Sequence, residues 1–147
     1  MVEKLTTNQI VEFKQLIEIF CDVFEMESVI TSDQYLGRLL ANQDFMVFVV
    51  KVNNEIVGGL TIYVLHQYYQ SKPQAYIYDV GIKKDFQRKG LGKILINEVN
   101  SFCFNHGFAL SYVEAEADDL DAVNFYRNTN VSDELTAVHF TYQLNKL

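Results

Sequence analysis

Asp79-Val80-Gly81-Ile82-Lys83-Lys84-Asp85-Phe86-Gln87-Arg88-Lys89-Gly90-Leu91-Gly92-Lys93 passes from a strand through a basic turn into a helix. The run from Tyr76 to Ile82 is β-branched and aromatic, as strands are, whereas from Leu91 onward the apolar residues fall at helical spacing. Between the two lie Gln87 and the glycines at 90 and 92. Glycine lets backbone approach a ligand closely, and the first turn of a helix carries N–H groups with no intrahelical acceptor. The stretch is therefore read as an anion cradle whose natural occupant is a phosphate.

Working outward, the helix that opens at Leu91 runs to about His106, where Gly107 is placed to end it. Phe108 to Glu116 reads as the next strand, and a strand, helix, strand sequence of this length joins two parallel strands by a right-handed crossover. Upstream, Phe45 to Val52 and Ile56 to Leu65 are rich in Val, Ile and Tyr. Asn53-Asn54 between them suits a tight hairpin turn. Gly58-Gly59 inside the second run marks a bulge or a close approach of another chain or ligand. His66 to Gln74, which contains the only proline, is read as a loop, and Ala75 to Ile82 as the strand that follows it.

Near the start, Val2 to Leu5 suits an edge strand and Thr7 an N-cap. Ile10, Phe13, Ile17, Phe20 and Phe24 then lie on one stripe of an amphipathic helix facing the core. Ser32 caps a second helix with Tyr35, Leu36, Leu39 and Leu40 at helical spacing. After Glu116 an acidic cluster leads into a short helix, about Ala122 to Arg127, and the chain closes with a strand, about Val138 to Leu144. The fold class expected is α/β: one domain, 1–147, with a mixed, largely antiparallel sheet, one parallel crossover and helices on both faces.

The composition excludes several functions. A chain of 147 residues, 49% of them apolar, is long enough for one domain with a real core. The longest apolar run, Phe45 to Val50, is far short of the roughly 20 residues a membrane crossing needs, so a soluble cytoplasmic protein is expected. A net charge of −7 argues against a nucleic-acid binder. Cys21 and Cys103 sit among apolar helix residues, where buried free thiols are expected and neither a disulfide nor a metal pair.

Three kinds of phosphate site have to be weighed. A P-loop needs glycine where Gln87 stands, and a Ser or Thr for magnesium where Ile94 stands. A dinucleotide fingerprint needs a third small residue at the slot of Leu95, and it opens a fold where this stretch follows a hairpin. What remains is Gln-x-x-Gly-x-Gly at Gln87, Gly90 and Gly92.

With this pattern the chain resembles the GNAT-type acyl-CoA N-acyltransferases, in which it opens the helix that receives the coenzyme A pyrophosphate. The resemblance covers nearly the whole chain, and Ala122-Val123-Asn124-Phe125-Tyr126 is similar to the family's Ala-x-x-x-Tyr signature. Within the family the chain is most similar to the class I aminoglycoside 3-N-acetyltransferases, the gentamicin type. Tyr35-Leu36-Gly37-Arg38-Leu39-Leu40, Tyr63-Val64-Leu65, Tyr76-Ile77-Tyr78-Asp79, Tyr112-Val113-Glu114-Ala115-Glu116 and His139-Phe140 carry that likeness. Two features depart from the family pattern: Arg127-Asn128-Thr129-Asn130 replaces a Lys-Leu-Gly-Phe-like turn, and Asp119 stands where many relatives have Asn.

Acetyl-CoA is the cofactor this resemblance implies, held by Val80, Gly81, Ile82, Gln87, Arg88, Lys89, Gly90, Leu91, Gly92, Lys93 and Asp119. Five of the twelve basic residues, Lys83, Lys84, Arg88, Lys89 and Lys93, cluster there in an otherwise acidic chain. Five acids, Glu114, Glu116, Asp118, Asp119 and Asp121, lie within eight positions at the end of the next strand and suit a small polycationic amine. Asp79 lies among Tyr, Ile, Val and Gly, where a lone carboxylate is costly to bury, so it must face a cavity or a partner.

The implied reaction is direct attack of the amine on the acetyl thioester, with an aminoglycoside as the expected acceptor. Asp79 and Glu116 are the candidate bases, with Asp79, Glu116, Asp118 and Asp119 holding substrate ammonium groups. Backbone N–H groups near Gly81 and Ile82 polarise the carbonyl, and Tyr126 protonates the departing thiolate. No metal is implied. A polyamine or protein amine as acceptor, or a silent acyl-CoA sensor, are the other readings; the presence of both Tyr126 and Asp79 argues against the sensor. The closing strand, with Phe140 and Tyr142, is a candidate to complete a partner's sheet in a homodimer.

Overall fold

A computed structural model describes residues 1–28 and 31–146. The chain forms two compact units, Met1–Glu114 and Ala115–Leu147.

The first unit is a five-stranded sheet in the order β1-β2-β3-β4-β5, made of Val2–Lys4, Phe45–Val52, Glu55–Gln67, Gln70–Ile82 and Leu110–Val113. Every neighbouring pair is antiparallel except β4 with β5, which is parallel from Gln74 opposite Leu110 to Ile77 opposite Val113. Phe45 to Val50 is buried at every position, as a strand covered on both faces must be. One set, Phe45, Val47 and Val49, packs with Phe13, Leu16, Ile19 and Phe20 of helix α1 (Ile10–Val23) and Leu36 of α2 (Asp33–Ala41). On the opposite face Phe48 meets Phe102 of α3 (Leu91–Asn105) edge-on, with ring centroids 5.1 Å apart.

Local chemistry accounts for most of the element ends. Ser32 Oγ accepts the Tyr35 N–H at 3.1 Å as the N-cap of α2. Gly107, at φ 78°, ends α3: the Phe108 N–H reaches the Cys103 carbonyl at 3.0 Å and the Gly107 N–H that of Phe104 at 3.4 Å, the two bonds of a Schellman motif. Asn53 and Asn54 take φ of 50° and 64°, the left-handed pair that a type I′ hairpin turn requires. Glycine reaches that region without strain, so Asn54→Gly is expected to stabilise the protein by about 0.5 kcal/mol. A urea midpoint that falls would show that the Asn54 side chain holds the turn.

Four local expectations are corrected. His66 to Gln74 is no loop: β3 continues to Gln67 and β4 begins at Gln70, making one long hairpin around Tyr68-Tyr69. Pro73 is tolerated because the register breaks there, with His66 alone opposite three residues, and its carbonyl accepts the Ala109 N–H at 2.8 Å. The N-cap of α1 is Gln9, not Thr7, and the Gln9 side chain instead folds back to accept the Thr6 N–H at 2.8 Å. Along α1 the buried set is Phe13, Leu16, Ile19 and Phe20, while Phe24 lies past the helix end, partly exposed and stacked on Phe20. Cys103 is buried and burial pushes its thiol up to about 11, but Cys21 is only partly buried; both are free.

The second unit contains α4 (Leu120–Arg127) and a short 3₁₀ turn, Leu144–Lys146. The closing strand expected at Val138 to Leu144 does not form. Its apolar alternation is that of a strand, but a strand exists only when its backbone has an edge to bond. No helix among the described residues is long and apolar enough to cross a membrane.

Candidate active site

Asp79 owes its position to a register break in the β3–β4 hairpin. Leu60 pairs with Val80 and Ile62 with Ile77, so Tyr78 and Asp79 together oppose the single residue Thr61. This is a β-bulge, and it bends the strand and re-aims the side chains at the break. The Asp79 N–H, which has lost its ladder partner, donates to the Thr61 hydroxyl at 3.3 Å, and Thr61 is itself buried. Desolvation raises the pKa of the Asp79 carboxyl above its ordinary value.

Tyrosines surround this carboxylate. Tyr63 and Tyr78 meet edge-on at 5.4 Å, Tyr76 and Tyr78 at 5.6 Å, and Tyr76 stacks flat on Tyr112 at 4.7 Å. Burial raises the Tyr63 phenol first, followed by the nearby charges of Tyr78, Asp79 and Tyr35. Tyr76 is pushed up to about 12 by burial and by its hydrogen bond to Glu114. Burial holds the Tyr112 phenol up as well, so Tyr63, Tyr76 and Tyr112 stay protonated at neutral pH, part of a wall of aromatic edges and hydroxyl groups between Asp79 and Glu114. Ring faces with nearby carboxylates suit organic ammonium groups.

At the far end of β4 the strand outruns its neighbour. β5 pairs only as far as Ile77, so Val80 to Ile82 pair with β3 alone and have no strand on their other side among the described residues. A 3₁₀ turn, Lys84–Phe86, then leads to α3. Arg88 and Gly90 are both left-handed, at φ 60° and 82°. The Gly90 N-cap provides no side-chain acceptor, and the first intrahelical bond runs from the Ile94 N–H to the Gly90 carbonyl at 3.1 Å. The Leu91, Gly92 and Lys93 amides therefore precede the helical ladder, with Arg88 and Lys89 beside them. Amides arranged in this way suit an anion.

Gln87 does structural work in the cradle: its side-chain amide donates to the Ile82 carbonyl at 2.8 Å and ties the loop to the strand end. Two of the five clustered cations are engaged elsewhere. Lys83 pairs with Glu55 at 2.7 Å and Lys84 with Asp22 at 3.9 Å. Both line, with Glu18 and Asp85, a cleft of about 810 Å³ whose walls include neither Asp79 nor any of residues 87–93. Lys89 lies over the Phe86 ring at 5.3 Å.

The first unit thus brings together Asp79, Val80, Gly81, Ile82 and the cradle from Gln87 to Lys93 on one strand and the helix start that follows it. Glu116, Asp118, Asp119 and Tyr126 belong to the second unit. Glu116 and Asp118 are exposed in the turn before α4, and the Glu116 carbonyl accepts the Asp119 N–H at 3.0 Å. Asp119 is the N-cap of α4, its carboxylate accepting the Ala122 N–H at 3.2 Å. Tyr126 is half-buried in the last turn of that helix, 5.0 Å from Phe125. Reading the sequence missed Thr61, whose only signal was a lone polar residue between Leu60 and Ile62.

Comparison with known proteins agrees with this geometry. A family model described as the acetyltransferase (GNAT) family matches residues 13–129. Among solved structures, an aminoglycoside acetyltransferase from an uncultured soil metagenomic sample, in complex with trehalose, is 45% identical. It superposes with a TM-score of 0.95 over 98% of this chain and 95% of that one. The same enzyme in complex with sisomicin matches at 44% identity with the same coverage and TM-score. A second soil metagenomic aminoglycoside acetyltransferase is 26% identical, with a TM-score of 0.87 over 97% of this chain and 98% of that one. Comparison with curated protein sequences gives no match.

Proposed function

Because the chain belongs to the GNAT acetyltransferase family, we propose that this N-acetyltransferase acetylates an aminoglycoside at its 3-amino group, by direct attack within a ternary complex. The likeness to the sisomicin-bound enzyme over almost the whole of both chains carries the reading. The 3-N position rests on the sequence resemblance. The reaction is assigned to the cytoplasm, where acetyl-CoA is available.

Enzymes of this family use acetyl-CoA, and the residues present fit it. The left-handed Arg88 and Gly90, an N-cap without a side chain and the amides of Leu91, Gly92 and Lys93 suit a pyrophosphate. The side of Tyr78 to Ile82 that no strand covers among the described residues offers backbone groups to an amide-bearing arm. Bound there, the cofactor supplies an acetyl thioester, the electrophile of the reaction.

The rest is assigned to side chains of this chain. The amine arrives as ammonium, and the Asp79 carboxylate takes its proton, directly or through a water; Glu116 is the second candidate base. Glu116, Asp118 and Asp119 hold the acceptor's other ammonium groups. The tyrosine wall orients the acceptor: its hydroxyl groups meet sugar oxygens and its ring faces meet cations. Backbone N–H groups near Gly81 and Ile82 are assigned to the developing oxyanion, the Ile82 amide first because the Gly81 amide faces Gly59 of β3. Tyr126 keeps on its phenolic oxygen the proton that the leaving sulfur requires, and Asp119 also sustains the helix that carries Tyr126.

A thiol-release assay over aminoglycosides, polyamines and peptides tests the proposal, followed by NMR of the product. Turnover of sisomicin with acetylation at its 3-amine is expected, and turnover of peptides alone overturns it. Tyr126→Phe is expected to lower kcat on the order of 10²-fold with little change in acetyl-CoA affinity. Unchanged turnover would remove Tyr126 as the acid.

A further inference from the structure

Thr61 is the one buried polar side chain among the described residues. The stretch that holds it, Ile56-Val57-Gly58-Gly59-Leu60-Thr61-Ile62, is otherwise apolar or glycine, and every position in it is buried. Valine has nearly the shape of threonine, is as good a strand former and carries no polar atom to desolvate. A hydroxyl at the centre of such a strand therefore costs stability unless it is bonded.

Its bond goes to the break in β4. The Thr61 hydroxyl accepts the Asp79 N–H at 3.3 Å, where Tyr78 and Asp79 together oppose Thr61. That break decides which face of the sheet the carboxylate occupies, because strand side chains otherwise alternate. After the break, a Cβ on Gly81 would meet the Phe20 ring of α1, so Gly81 and, two residues before it, Asp79 belong to the α1 face. Before the break, Tyr76 and Tyr78 meet edge-on, and Tyr78 meets Tyr63, which packs in turn on Phe45 of the α1 core. Tyr78 and Asp79 are consecutive and yet share one face, which unbroken alternation forbids. An unbroken strand would send Asp79 to the opposite face, that of Ile77 and Ile62, away from the tyrosines.

We propose that Thr61 is a positioning residue for acetyl transfer: its buried hydroxyl pins the β4 bulge and so holds the Asp79 carboxylate on the tyrosine-lined face that receives the acceptor amine. The inference rests on the reading of Asp79 as the base, and adds a residue that touches neither substrate nor cofactor. The cradle is tied separately, by the bond from the Gln87 side chain to the Ile82 carbonyl. Loss of the Thr61 hydroxyl thus leaves acetyl-CoA binding intact.

The test is a set of variants of the full chain in the thiol-release assay with sisomicin, with acetyl-CoA affinity and urea midpoints measured in parallel. Thr61→Val and Thr61→Ala both remove the hydroxyl, one keeping the bulk and the other not, whereas Thr61→Ser keeps the hydroxyl. The first two are expected to lower kcat about 10–100-fold with acetyl-CoA affinity unchanged, and Thr61→Ser to recover most of that loss. In an Asp79→Asn background Thr61→Val should lower kcat no further, because no base is left to position. Undiminished turnover in Thr61→Val beside an impaired Asp79→Asn overturns the proposal and leaves the base reading standing. A Thr61→Ser variant as impaired as Thr61→Val also overturns it, since packing and not the hydroxyl would then hold the site. So does a Thr61→Val loss of the same size with and without Asp79. Full turnover by Asp79→Asn fails the base reading itself, and Thr61 then has nothing to position.

Discussion

Asp79→Asn is expected to lower kcat/KM for the acceptor amine by on the order of 10² to 10⁴-fold while leaving acetyl-CoA affinity unchanged. The substitution keeps the shape of the side chain and the bond from its backbone N–H to Thr61, and removes only the ability to take a proton. The pH profile separates this from a general loss of order. A carboxylate base works only when ionised, so turnover falls as pH drops through its pKa. Burial raises that pKa, which places the acid limb above the range of an ordinary aspartate, and the limb vanishes in the variant.

Stability should move the other way. A carboxyl whose pKa is raised by folding binds its proton more tightly in the native state, so its ionised form costs stability at neutral pH. That cost disappears as pH falls through the raised value and below that of the unfolded chain. Asp79→Asn should therefore melt above the unmodified protein at neutral pH, with the two converging in acid, the usual exchange of activity for stability at a functional group. A variant that melts lower at neutral pH and binds acetyl-CoA poorly would make Asp79 a structural residue.

The features legible in the sequence were local. Gly107 after an amphipathic run, Ser32 before one, Asn53-Asn54 between two strands and the glycines of the cradle each meet a requirement of their own few residues. Asp79 was legible as an anomaly, an acid among strand formers. The bulge that aims it was not, because register depends on how Leu60 and Ile62 pair with residues well over a dozen positions away. The Tyr68-Tyr69 turn was hidden because neither residue adopts positive φ, so it carries none of the Gly or Asn signals of a tight hairpin. The cation cluster was overread for a similar reason: Glu55 and Asp22, which engage Lys83 and Lys84, are remote in sequence. The closing strand was misread because periodicity gives a segment's preference and is silent on whether an edge is available to it.

The Gly58-Gly59 pair, expected to mark a close approach, leads to the largest stability effect. Gly59 sits opposite both Val49 and Gly81, at the centre of the sheet. A Cβ built on Gly59 would lie 2.8 and 3.0 Å from the methyl carbons of Leu16 on α1 and closer still to the Phe48 carbonyl oxygen. Neither neighbour can yield. Leu16 is fully buried among packed side chains, and the Phe48 carbonyl belongs to a central strand. Gly59→Ala must therefore lift α1 or break the ladder, and is expected to cost about 4 kcal/mol, a large part of the stability of an ordinary domain. At Gly81 the same added carbon would meet the Phe20 ring, at 2.9 and 3.2 Å. A ring can tilt, and Phe24 beyond it is partly exposed, so Gly81→Ala should cost only about 1–2 kcal/mol. Gly81→Ala should nonetheless impair turnover more than that loss implies, because the tilted ring presses on the strand segment that carries Asp79 and the cradle. Urea unfolding of the two variants orders them. Should Gly81→Ala prove the less stable of the pair, α1 would not be seated on the sheet through Gly59, and the account of what holds the site's floor would fail with it.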